Sequence, residues 1–124
     1  MLACTAYVGR RSVLAEARFL VCGGCGFEVE AWSDGNPYYR DERGRKRYAY
    51  HPDHENLARC VGNDEPHLCM ACGAEVKIDS LKRVTSCRKC KGGPLVPLWN
   101  LEGNSCPRCR EGHFSTDKER RAIS

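Results

Sequence analysis

The sequence predicts a small, metal-stabilised fold, mostly β and irregular, in which cysteine knuckles and β-hairpins form two lobes with one or two short helices. Three observations lead there. Ten cysteines stand in 124 residues, and eight of them fall in four Cys-x2-Cys pairs: Cys22/Cys25, Cys69/Cys72, Cys87/Cys90 and Cys106/Cys109. Large apolar residues are scarce, with three Phe and two Trp, so much of the apparent core is metal ligand. Short runs of alternating apolar and polar residues, bounded by Gly, Asn and Pro, read as strands and turns.

Two residues between thiolates let a tight turn aim both sulfurs and its own N–H groups at one ion, which supplies half a tetrahedron. Eight thiolates therefore make two sites, and two zinc ions are the expected cofactors. The last two pairs are fifteen residues apart, Lys91 to Ser105, within the range of a zinc ribbon. Each lobe is expected to depend on its ion for folding, with structural zinc contributing on the order of 10 kcal/mol. Four thiolates hold iron as well, so a rubredoxin-like electron carrier stands as an alternative that metal availability disfavours.

Two other uses of such cysteines are weaker. A disulfide framework suits a secreted chain, but Met1 to Ala17 sets charged residues around a hydrophobic run too short for a secretory segment. Nothing approaches the length of a membrane span, and a reducing, cytoplasmic setting is expected. Thiol–disulfide catalysis needs a Cys-x2-Cys that opens a helix. Here Gly26, Gly73 and Lys91-Gly92-Gly93 follow the pairs, which suits turns.

Element by element, Ser12 to Arg18 (SVLAEAR) has the composition of a short helix or of a disordered leader. Phe27 to Trp32 alternates as a half-buried strand, and Ser33 to Pro37 supplies turn chemistry. Tyr38, Tyr39, Tyr48 and Tyr50 flank the charged stretch Arg40 to Arg47, whose Gly44 marks the tip of a long hairpin. Asp53 to Cys60 reads as a two-turn helix capped by Asp53. Ala74 to Ile78 and Leu95 to Trp99 read as strands leaving their knuckles, with Pro97 confining the second to an edge.

A weak repeat, knuckle followed by a strand ending in Trp32 or Trp99, favours one site from Cys22, Cys25, Cys69 and Cys72 and another from Cys87, Cys90, Cys106 and Cys109. It gives a leader at 1–18, lobes at 19–80 and 81–115, and a charged tail at 116–124. The competing arrangement joins Cys69/Cys72 to Cys87/Cys90 and leaves the outer pairs to meet. Loop closure does not decide, because the 43-residue loop between the first two pairs costs only about 0.9 kcal/mol more than a 15-residue one.

Other ligand candidates are secondary. His51, His54, Cys60 and His67 could build a third site but lack paired-knuckle spacing. Cys60 reads as a buried small hydrophobe, Cys4 as a free thiol, and His67 as a hydrogen-bond donor to a thiolate.

The formal charge is +4, but two four-thiolate zinc centres of charge minus two each bring the loaded protein near zero. Locally, cations cluster at Arg43, Arg45, Lys46 and Arg47 and again at Lys82, Arg83 and Lys89. They either offset the thiolates or contact phosphates, with tyrosines nearby for stacking. Catalysis finds no support: four cysteines leave an ion no open position. His54-Glu55 lacks the residue that a deaminase His-x-Glu would need, and no phosphate-binding glycine loop occurs.

The stretches CGGCGF from Cys22, VGNDEPHLCMACG ending at Gly73 and SCPRCREGHF ending at Phe114 resemble small bacterial tandem zinc-ribbon proteins of unassigned function. Lys91 and Arg110 depart from that pattern, standing where Gly often follows the second cysteine. The resemblance implies a binding role. A zinc-binding, non-enzymatic adaptor associated with nucleic acid, or with a protein of the transcription or translation machinery, is the leading expectation. The alternative is a protein–protein module anchored by exposed Trp32, Tyr38, Tyr39 or Trp99. Neither a membrane nor a small-molecule substrate is expected as partner.

Overall fold

A computed structural model describes residues 15–50, 53–120 and 122–123. Its elements run β1 (Glu16–Cys22), β2 (Glu28–Trp32), β3 (Pro37–Arg40), β4 (Lys46–Tyr48), α1 (His54–Leu57), β5 (Gly62–Cys69), β6 (Glu75–Asp79), β7 (Leu95–Pro97), a 3-10 turn (Leu98–Asn100), β8 (Phe114–Thr116) and β9 (Ala122–Ile123). Strands dominate and helix is almost absent, as the sequence predicts.

The strands form two antiparallel sheets. In the first, β1 is central, with β2 on one side and β8 and β9 on the other. In the second, β5 is central, with β6 on one side and β3 and β7 on the other, while β4 extends the sheet beyond β3. The chain leaves the first sheet after Trp32, builds the whole second sheet, and returns through the 3-10 turn to finish the first. The second lobe is thus nested inside the first, not placed after it.

The repeat is correspondingly different from the one the sequence suggests. In each sheet the central strand ends on the first cysteine of a knuckle, Cys22 or Cys69, and returns as a hairpin partner, β2 or β6. A later knuckle then delivers a third strand, β8 or β7, to the opposite edge of the central one. Trp32 and Trp99 are not equivalent in this scheme: one ends β2 and the other lies in the 3-10 turn.

β1 corrects the expected leader, since Glu16 to Arg18 already belong to the sheet. Helix-compatible composition yields to pairing on two edges and to burial of Ala17 and Leu20. Residues 12–14 and Cys4 lie outside the described residues. β5 was masked in the sequence by its polar GNDEP run. Pro66 is tolerated because Asp64 directs its N–H to the carbonyl of Asn36, on the β3 side. Two residues on, Pro66 faces that same edge, in the gap between β3 and β7, where no ladder bond is lost. α1 is a single turn where two were expected, with the Asp53 side chain accepting the Asn56 N–H at 3.3 Å. The β3–β4 hairpin turns at Gly44, whose φ of 76° suits glycine.

The lobes share an apolar core. Leu20, Val29, Ala31 and Phe114 of the first sheet pack with Leu68 of the second and with Leu98 and Leu101 of the connection. Each fully buried Leu or Phe contributes on the order of 2 kcal/mol, so the expectation of lobes held chiefly by their ions is too simple.

At its far end the second sheet carries a polar cluster. Alternate residues share a face, so the pairings put Tyr38, Lys46, Tyr48, Asp64, Lys77 and Asp79 together. Lys46 Nζ lies 3.0 Å from Asp64 and 3.4 Å from Asp79, and Tyr38 and Tyr48 donate to those carboxylates at 2.7 and 2.6 Å. Burial would raise the Asp79 pKa, but the Tyr38 hydroxyl, the Leu81 N–H and Lys46 lower it on balance. Losing Lys46 leaves two inward carboxylates facing each other. In denaturant titration of the metal-loaded protein, Lys46→Ala is expected to cost about 2 kcal/mol, against under about 0.5 kcal/mol for exposed Arg43→Ala. Equal stabilities would refute a structural role for Lys46.

Candidate metal centres

The four knuckles share one backbone design. In each, the N–H four residues after the first cysteine returns to that cysteine's carbonyl: Gly26 to Cys22 at 3.0 Å, Gly73 to Cys69 at 2.8 Å, Lys91 to Cys87 at 2.8 Å and Arg110 to Cys106 at 2.9 Å. That closing residue is left-handed in every case, with φ of 80° and 78° at Gly26 and Gly73 and of 66° and 62° at Lys91 and Arg110. The two departures from glycine therefore keep the turn and carry its strain. Arg110 gains something in return, since its guanidinium donates to the Ala71 carbonyl of the other lobe at 2.9 Å.

The knuckles converge in two groups of four. Cys22, Cys25, Cys106 and Cys109 form one and Cys69, Cys72, Cys87 and Cys90 the other, and each could hold a metal ion. All eight predicted ligands are used, but the pairing preferred from the sequence is overturned, and the outer knuckles meet each other. Cys25 and Cys106 are 81 positions apart in the chain and 3.7 Å apart at sulfur, while Cys72 and Cys87 are 15 apart and 3.8 Å. The remaining cross-knuckle contacts are 3.5 Å for Cys22–Cys109 and 3.6 Å for Cys69–Cys90. Four sulfurs held about 2.3 Å from a tetrahedral ion stand about 3.8 Å apart. A disulfide needs about 2.05 Å, and these cysteines are free thiols.

The first cysteine of every knuckle is buried, whereas Cys25, Cys72 and Cys90 are exposed. Buried sulfurs take backbone N–H bonds: Gly24 to Cys22 at 3.2 Å, Lys89 to Cys87 at 3.3 Å and Arg108 to Cys106 at 3.4 Å. The N–H of Cys25 is the main cause that lowers the Cys22 thiol to about 6, and that of Cys90 lowers Cys87 to about 7. Cys25 and Cys90 go the other way. Although the N–H groups of Phe27 and Gly92 favour their thiolates, burial and the surrounding thiols push both up to about 11. Without a cation, four sulfurs this close cannot all ionise, and a divalent ion removes that conflict.

Close packing seats the first centre. A side chain at Gly112 would put its Cβ 2.5 Å from Cys22 Sγ, so only glycine lets the outer knuckles approach. With four thiolates around each centre, the donor set leaves no position for water, which is the arrangement of a structural site.

The other ligand candidates do not join. His67 Nδ1 donates to the Glu65 carbonyl at 2.8 Å and not to a thiolate, which corrects that expectation. Cys60 packs with Ala49 and Leu57, as a small hydrophobe would. His51 lies outside the described residues, and so does the side chain of His54. Among the described residues the two cysteine groups are the metal clusters found.

The charged candidates are scattered. Lys46 is committed to the polar cluster, and Arg45 and Arg47 both lean on Asp41, at 3.7 and 3.1 Å. Arg83 sits 3.9 Å from Glu65, while Arg43, Lys82 and Lys89 are exposed. The aromatic anchors are covered more than the sequence suggested. Tyr38 is fully buried, Tyr39 packs against the Leu57 cluster, Arg18 lies 3.8 Å over Trp99, and Trp32 donates to Glu30. Tyr48 and Tyr50 are exposed instead.

No family model, curated protein or solved structure matches this chain. Among the described residues no helix is long and apolar enough to cross a membrane.

Lys91→Gly is expected to stabilise the loaded protein by about 0.5–1 kcal/mol by removing left-handed strain. Arg110→Gly is expected to gain less, because the bond to Ala71 goes with the side chain. Thermal melts of the three proteins read the difference, and a destabilised Lys91→Gly would contradict the strain assigned to that knuckle.

Proposed function

We propose that this protein is a non-enzymatic adaptor in which two zinc ions act as structural centres, and that it binds nucleic acid through cations displayed around the second centre. Zinc is favoured over iron by availability, since four thiolates hold either ion. An absence of open coordination positions argues against hydrolytic chemistry at either centre.

One observation carries the binding reading. Between positions 77 and 91 stand six cations, Lys77, Lys82, Arg83, Arg88, Lys89 and Lys91, against one carboxylate, Asp79, and all six are exposed. A four-thiolate zinc centre carries minus two, so after it, Asp79 and the Glu65 that Arg83 reaches are set against the cations, two positive charges remain. Compensation of the thiolates alone does not use them up. Exposed cations concentrated in one short stretch of chain are what a phosphate backbone attracts.

The protein-docking alternative is less well supported, because of the four aromatic residues it relies on Tyr38 is fully buried and Trp32, Tyr39 and Trp99 are half-buried.

Metal analysis of the purified protein is expected to give two zinc ions per chain and no iron. Binding of a single-stranded oligonucleotide is expected to weaken with salt. Combined Lys82→Ala, Arg83→Ala and Lys89→Ala should flatten the slope of log affinity against log salt by about 2 while zinc content stays at two. Undetectable binding at low salt would refute the nucleic-acid reading, and a red, redox-active preparation would refute zinc.

A further inference from the structure

Tyr48 and Tyr50 stand out on the second sheet. Their rings stack on each other, with centroids 6.2 Å apart and planes at 27°. They remain 42% and 47% exposed, while the other described aromatic residues are buried or half-buried. Both hydroxyls are tied down, Tyr48 donating to Asp64 at 2.6 Å and Tyr50 to Asn36 at 2.8 Å. Anchored hydroxyls fix the rings, yet both residues stay open to water.

A cation lies by Tyr48, and a second stands next to it. Lys77 Nζ is 5.8 Å from the Tyr48 ring centroid, and Arg88 donates to the Lys77 carbonyl at 2.8 Å, which places its guanidinium beside that lysine. Lys77 and Arg88 also belong to the cationic stretch that surrounds the second centre. Charge depletion marks the core of a protein interface, and this surface has the reverse. Ring faces flanked by cations match a strand of alternating bases and phosphates.

We propose that Tyr48 and Tyr50 form a stacking platform for the unpaired bases of single-stranded nucleic acid, with Lys77 and Arg88 beside it contacting the phosphates. The proposal rests on the polyanion-binding reading and narrows it to a site and a strand form. A single strand is specified because bases expose their faces only when unstacked from a duplex. The four-residue α1 is too short to read a major groove.

The test uses the full-length, zinc-loaded protein and fluorescence anisotropy with four probes of about 15 nucleotides: oligo-dT, oligo-rU, an abasic phosphodiester strand and a duplex. The single strands with bases are expected to bind tightest. Tyr50→Ala is expected to lower their affinity about 5- to 100-fold and leave the abasic strand unchanged, while Tyr50→Phe and Tyr48→Phe retain binding. Equal affinities for all four probes, unmoved by Tyr50→Ala, would overturn the platform while leaving phosphate binding standing. Absence of binding to every probe at low salt would remove both. A concentration-dependent dimer that Tyr50→Ala abolishes, with oligonucleotide affinity intact, would assign the platform to a second copy of the chain and overturn the proposal.

Discussion

The knuckles and the chain path between them depend on four sulfur atoms having to reach one point, twice. Thiolates that crowd within 3.5–3.8 Å repel unless a cation sits among them. That demand sets the local geometry outward from each centre. It fixes the turn that returns an N–H to the first cysteine, the left-handed residue that ends the turn, and the buried position of the leading sulfur. It accounts too for two non-glycine residues held at φ of 66° and 62°, a conformation that L side chains adopt at a cost.

The same demand shapes the chain path. The outer knuckles enclose the second lobe in sequence, so the first centre joins two stretches of chain that have that whole lobe between them. Contacts across the boundary bind the two: Leu68 lies in the core of the first sheet, and Arg110 reaches Ala71. The two cysteine groups are therefore joined by one apolar core.

The eight ligands were legible in the sequence because Cys-x2-Cys is a local pattern whose geometry is decided within four residues. The Gly44 tip and the β2, β6 and β7 strands were legible for the same reason, through turn residues and alternation. Pairing was not legible. An 81-position separation costs only about 1.5 kcal/mol more to close than one of 15, which packing of Leu20, Leu68, Leu98 and Phe114 easily exceeds, and that packing is invisible in the local sequence. β5 was hidden because its polar residues are satisfied only in three dimensions, Asn63 by Asn36 and Asp34, and Asp64 by Lys46 and Tyr48. The exposed tyrosines were misjudged likewise: Tyr38 and Tyr48 differ by sheet position and not by any property of their neighbours in sequence.

Cadmium substitution offers the most direct measurement of the nested arrangement. In a protein loaded with cadmium-113, through-bond correlations from each metal to cysteine Hβ protons report the ligands of each centre. One ion should correlate with Cys22, Cys25, Cys106 and Cys109 and the other with Cys69, Cys72, Cys87 and Cys90. An ion correlated with both the Cys22/Cys25 and the Cys69/Cys72 knuckles would contradict the account.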